Sequence, residues 1–115
     1  MGAVTDDRRR LGVRGEVLAA RWYRRAGYTV VDRNWRDGRR GELDLVLVRG
    51  RGLVVCEVKT RRSDRFGSPA EAVTVGKQRR IRALALAWIA DHDVRPASVR
   101  FDVACVTGAR VEIRE

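Results

Sequence analysis

Lysine is scarce in this chain. Of 25 basic residues only Lys59 and Lys77 are lysines. Arginine is the default base, so a lysine either falls by chance or marks a place that needs a compact ammonium rather than a planar fork. Cysteine and histidine are also few. Cys56 and Cys105 sit in apolar strand-like runs and read as buried small hydrophobes. Two cysteines make no disulfide framework. With His92 as the sole histidine, a zinc site of the Cys/His type is undersupplied. No apolar stretch approaches the roughly 18 residues of a membrane helix. The segment Met1–Arg10 is polar and basic, unlike a secretory signal, so a cytoplasmic location is expected.

What remains is a chain of one-domain length, 115 residues, 44% of them hydrophobic. The net charge is +10. Residues 1–40 hold eleven arginines against five acids, and residues 41–115 hold fourteen bases against ten acids. Such an excess attracts polyanions, nucleic acid first among them. Basic balance that serves only solubility is the plainer alternative.

Residues 1–9 read as a flexible N-terminal segment, followed by a single domain over 10–115. Helical spacing of Leu11, Gly15, Leu18, Ala19 and Trp22 predicts a helix from about Arg10 to Ala26, ended by Gly27. Strands are predicted at Tyr28–Trp35, Glu42–Val48 and Leu53–Thr60. A tight turn at Arg49–Gly52 joins the last two. A basic loop covers Arg61–Ser68, and one helical turn is predicted at Pro69–Val73. Thr74 caps a helix reaching about Ala90. Its stripe Ile81, Leu84, Ala85, Trp88 and Ile89 follows the helical period. Strands at Ser98–Val106 and Arg110–Ile113 complete the order α-β-β-β-α-β-β. The expected fold is α/β, a mixed central sheet flanked by helices.

The second and third strands are apolar on both faces, yet carry Glu42, Asp44, Glu57 and Lys59. Charge in a buried strand is costly unless paired or bound to a metal. A two-residue turn at Gly50-Arg51 places Asp44 opposite Glu57 and Glu42 opposite Lys59, all on one face. Carboxylates roughly 5 Å apart need a proton or a cation between them. Mg²⁺ or Mn²⁺ is the natural occupant of an all-oxygen site. Lys59 would stand beside it. The alternative is an ion-pair network, with Lys59 on Glu42 and arginines answering Asp44 and Glu57.

Asp44 followed by Glu57-Val58-Lys59 on the next strand resembles the PD-(D/E)xK nuclease superfamily. Gly15-Glu16 is similar to the upstream acid of the archaeal Holliday-junction resolvases. The fuller pattern resembles the YraN-like family of bacterial proteins. It comprises Gly15-Glu16, Arg33-Asn34, Gly41-Glu42-Leu43-Asp44, Glu57-Val58-Lys59, Phe66-Gly67, Lys77 and Arg100-Phe101-Asp102-Val103. The resemblance implies a restriction-endonuclease-like fold and metal-dependent hydrolysis of DNA. Asp44, Glu57, the Val58 carbonyl and Glu16 would be the metal ligands, with Lys59, Glu42 and Lys77 in the chemistry. Glu16 is equally placed to pair with an arginine, Lys77 to be an exposed first-turn residue, and Asp102 to serve an arginine. Arg39, Arg40, Arg61, Arg62 and Lys77 are the expected contacts to the DNA backbone. A nuclease-like module that binds DNA and recruits a partner is the second reading, and a homodimer is open. The spacing of Trp22 and Trp88 assigns both to the core.

Overall fold

The computed structural model describes the backbone of residues 2–38, 40–62 and 74–115, with side chains from Arg9 onward except Arg39. Arg39, the expected turn at Pro69–Val73 and most of the loop after Arg62 lie outside the described residues. The elements are α1 (Gly2–Arg25), β1 (Thr29–Arg36), β2 (Glu42–Arg49), β3 (Gly52–Arg61), α2 (Val75–Asp91), β4 (Ser98–Thr107) and β5 (Arg110–Arg114). The sheet order follows the chain, β1-β2-β3-β4-β5. Neighbours are antiparallel except β3 and β4, which run parallel with α2 as their crossover. The protein is therefore an α/β fold with a mixed five-stranded sheet, in the expected element order.

Helix α1 begins at Gly2, earlier than the predicted start near Arg10. The apolar stripe that marks a helix to the eye begins only at Leu11, but no proline interrupts the residues before it, and a helix once nucleated propagates readily. Gly27, at φ 92°, ends the helix region.

The sheet is covered on both faces. Leu45, Leu47, Val54, Cys56, Ala104 and Val106 pack with Ala19, Ala20 and Tyr23 of α1. Leu43, Val46, Leu53 and Val55 pack with Ile81, Leu84, Ala85 and Trp88 of α2. Each fully buried Leu or Val contributes about 1.5–3 kcal/mol. The α2 stripe is as expected. Its N-cap Thr74 accepts the Lys77 N–H at 3.2 Å.

The α1 stripe is rotated from the expected one. Tyr23 is fully buried, while Trp22 is 38% exposed and not a core residue. Small Gly15, Ala19 and Ala20 let the helix lie close to the sheet. The ring that fits the remaining space also needs a partner for its hydroxyl, and Tyr23 donates to the fully buried Asp102 at 2.6 Å. Arg100 closes the group with bonds of 2.8 and 2.9 Å to the same carboxylate, so Asp102 is an arginine partner. Both cysteines are free and buried. Burial pushes the Cys56 thiol up to about 12.

Candidate metal centre

The β2–β3 hairpin has the expected register. Arg49 faces Gly52, and the ladder continues through Leu45 facing Cys56. It then stops, one pair short of the expected Asp44–Glu57 pair. The cause lies in β1 and β2 together. Leu43 and Leu45 would share a face in a regular strand, yet Leu45 packs under α1 and Leu43 under α2. Opposite this pivot, Asn34 of β1 has φ 50°, a left-handed conformation that asparagine tolerates better than most residues. Both strands turn here, and β2 leaves β3.

Asp44 enters the gap this opens. Its Oδ2 accepts the Val58 N–H at 2.8 Å. Strand N–H groups lie in the sheet plane, so the carboxylate occupies the place of a missing backbone acceptor. A strand residue's N–H and C=O point to the same side, so the Val58 carbonyl faces the gap too.

Glu16 comes from α1. Its entry depends on Gly15: a Cβ there would collide with the Thr60 side chain on β3. The Asn34 side chain donates to Glu16 Oε2 at 3.2 Å. Glu42, at the start of β2, accepts from Arg36 Nε at 2.8 Å. Carboxylate oxygens of Glu16, Glu42 and Asp44 all lie within 4.8 Å of one another. Burial drives the Asp44 carboxyl up to about 6. The Val58 N–H opposes the rise, and the charges of Glu16, Glu57 and Glu42 add to it.

Glu57 stands beside this trio rather than in it. By strand alternation with Leu53 and Val55, it and Lys59 face α2, and Lys59 Nζ pairs with Glu57 Oε1 at 3.0 Å. Glu57 Oε2 is buried and has no hydrogen-bond partner. The four charges therefore do not form the expected cross-strand square: Lys59 holds Glu57, and Arg36 holds Glu42. A cavity of about 110 Å³ on the α2 side is lined by Glu42, Glu57, Lys77 and Arg80. Thus Lys77 is brought to the acids. Arg40 is exposed and lies 3.5 Å from Asp37, Arg61 ends β3, and Arg62 is exposed beyond it. Two residues of the site are not foreseen from the sequence: Asn34 as a support for Glu16, and Arg80. The latter sits three residues after Lys77 on one helix face, a spacing that could have disclosed it.

The donor set tests well for a hard divalent ion. The three carboxylates that gather are all oxygen donors, the set that Mg²⁺ and Mn²⁺ favour, and the Val58 carbonyl faces the same gap. Glu57, whose charge bears on Asp44, keeps one buried carboxylate oxygen without a hydrogen-bond partner.

Fold and cluster together define an α/β protein whose acids gather where two inner strands part. The chain belongs to the family described as Uncharacterised protein family UPF0102, whose model matches residues 15–106. The match opens on Gly15-Glu16 and contains every residue of the cluster. A UPF0102 protein of Rhodococcus jostii is 55% identical over 96 residues, covering 84% of this chain and 80% of that protein. One from Frankia alni is 56% identical over 97 residues, with coverage of 84% and 80%. One from Streptomyces coelicolor is 50% identical over 106 residues, with coverage of 91% and 82%. No helix among the described residues is long and apolar enough to cross a membrane.

Proposed function

We propose that this protein hydrolyses phosphodiester bonds in DNA with the help of Mg²⁺ or Mn²⁺. The observation that carries the reading is the meeting of Glu16, Glu42 and Asp44 within 4.8 Å, beside a lysine on the adjoining strand. The net charge of +10 supplies the attraction for the substrate.

Glu16, Glu42, Asp44 and the Val58 carbonyl would hold the ion, which when bound neutralises phosphate charge and acidifies a water. Lys77 and Arg80, at the first turns of α2, bind the phosphate from the α2 side, aided by the partial positive charge of the helix N-terminus. Lys59 Nζ, steadied by Glu57 Oε1, orients the attacking water and stabilises the charge that develops on the phosphorane-like transition state. Glu57 Oε2, buried and without a partner, is the acceptor at hand for the proton that water gives up. The apolar flanks Leu43 and Leu84 keep bulk water from the α2 side.

A second reading is favoured by the ion pairs Arg36–Glu42 and Lys59–Glu57. These already answer two of the acids, as in a module that binds DNA without turnover.

Incubation of the protein with duplex, single-stranded, flap and four-way-junction DNA, with Mg²⁺ or Mn²⁺, separates the two. Cleavage is expected for the wild type and should be lost in Lys59→Arg, whose charge survives while its wide planar fork would crowd the ion and the attacking water. Lys59→Arg should keep DNA affinity and melting temperature near wild type. DNA binding with no cleavage of any substrate in either metal leaves the binding module standing and removes the hydrolase.

A further inference from the structure

A larger cavity lies at the other end of the hairpin, beneath the C-terminal part of α2. Its volume is about 480 Å³, within the range of ligand pockets. Gly50, in the β2–β3 turn, borders it. At about 3.4 Å per strand residue, that turn stands roughly 20 Å along β2 from Asp44, so the cavity is separate from the acidic cluster.

Its walls are apolar: Val48, Leu53, Trp88 and Pro96, with Val31 and Val94 at the mouth. Val31 and Val94 are 44% and 39% exposed. Val31 falls at the bulge between Val30 and Asp32, where the β1–β2 register shifts. The same bulge lets Asp32 accept the Trp88 indole N–H at 2.8 Å. His92 then stacks on Trp88, with ring centroids 4.0 Å apart, and its Nδ1 lies 2.8 Å from the Trp88 carbonyl. The wall is thus set before anything binds, which lowers the cost of binding.

Arg51 and Arg95 also line the cavity, and both are exposed. Neither side chain has an ion pair or hydrogen bond among the described residues. Two unanswered cations beside a preformed apolar cavity call for an occupant that is both apolar and anionic. A nucleic-acid backbone would satisfy the arginines and leave the valines wet, and a nucleobase would press its polar edge against them. A second copy of a chain with net charge +10 would meet electrostatic repulsion.

We propose that this cavity docks a short acidic segment of a partner protein, in which a bulky apolar side chain fills the Val31–Trp88–Val94 recess and flanking Asp or Glu residues meet Arg51 and Arg95. Arginine and a central apolar anchor are the usual dominant contacts of such interfaces. The inference does not rest on the proposed hydrolysis, since the site shares no residue with the acidic cluster.

The test is selection from a random peptide display library on the wild-type protein, with counter-selection on Arg51→Glu/Arg95→Glu. Both positions are exposed, so the variant keeps the core intact. Enrichment of sequences with a large apolar residue beside acids is expected. A synthetic peptide of the enriched sequence should bind at least about tenfold more weakly to the double variant, and equally to wild type and Asp44→Asn. It should also lose binding when its apolar residue becomes Ala. Enriched sequences without that pattern, equal binding to the double variant, equal binding after loss of the apolar anchor, or no enrichment at all would each overturn the proposal. So would displacement of the peptide by single-stranded oligonucleotide at high salt, which would assign the cavity to a nucleotide. Loss of binding in Asp44→Asn would overturn the claim that the cavity acts apart from the acidic site.

Discussion

At Asp44 the interests of fold and site diverge. Burial and three neighbouring acids hold its carboxyl near 6 in the folded protein, against an ordinary 3.8. Below about pH 4 the group is protonated in both folded and unfolded states, and costs nothing. Between about 4 and 6 the fold keeps a proton that the unfolded chain has lost. Above about 6 both states are ionised, and the metal-free fold carries the whole penalty, on the order of 3 kcal/mol. Asn keeps an acceptor for the Val58 N–H but no charge. Asp44→Asn should therefore melt higher than wild type at pH 7.5 without metal, and the difference should vanish near pH 4. Mg²⁺ or Mn²⁺ should raise the wild-type melting temperature at pH 7.5 and leave the variant unmoved. A variant that melts far below wild type at pH 7.5, together with no response of wild type to either ion, would make the carboxylates scaffolding.

The residue scale is also where the sequence is hardest to read. Asp44, Glu57 and Lys59 stand out because charge is rare in strands apolar on both faces, and Glu16 because it borders an apolar stripe. That Glu42 rather than Glu57 joins Glu16 and Asp44 follows from the backbone of Asn34 and from one carboxylate replacing a ladder acceptor. Neither leaves a periodic trace. The exchange of Tyr23 for Trp22 in the core has a similar origin, since it turns on a buried hydroxyl finding Asp102 at the far end of the chain.

Among the elements, α1 and the β2–β3 hairpin differ in how much their local sequence discloses. The hairpin register follows from a two-residue turn and alternation, both local. The approach of α1 to the sheet depends on Gly15 over Thr60, a contact between residues 45 positions apart. Two glycines in this helix should respond oppositely to alanine. A Cβ added at Gly12 would have nothing within 4 Å, so Gly12→Ala should stabilise by about 0.5–1 kcal/mol through helix propensity alone. Gly15→Ala meets Thr60 and should destabilise by about 1–3 kcal/mol, while moving Glu16 off the cluster and weakening metal affinity. Adding Thr60→Ala to Gly15→Ala should restore much of both. Denaturant melts and metal titrations of these variants beside wild type check this, and additive effects in the double variant would show that Gly15 and Thr60 do not constrain each other.

For the whole molecule, charge sets the behaviour toward partners. With +10 on 115 residues, affinity for DNA should be largely independent of sequence and fall steeply with salt, about a hundredfold or more between 50 and 200 mM. Replacing Arg80 by Ala should weaken binding to all sequences alike and reduce the salt slope by about one. Fluorescence-anisotropy titrations at several salt concentrations measure both; a dissociation constant that does not move with salt would remove nucleic acid as the partner. The mixed sheet between two helices was legible as a whole, because apolar runs on both faces mark inner strands.

The sheet order β1-β2-β3-β4-β5 follows the chain, and this sets how the chain can assemble. Three of its four strand pairings join neighbours in sequence through short connections, so their loop-closure cost is small. The β3–β4 pairing alone must wait for a crossover, and parallel partners reward that wait slowly. The topology predicts the β1–β2–β3 meander as the nucleus, with β4 and β5 joining later as a unit. Leu47→Ala should then slow refolding, while Val106→Ala should chiefly hasten unfolding. The reverse pattern in stopped-flow kinetics would place the nucleus at the crossover. Assembled in this order, the gap between β2 and β3 would take shape in the part that folds first, before β4 and β5 dock on the far edge of β3.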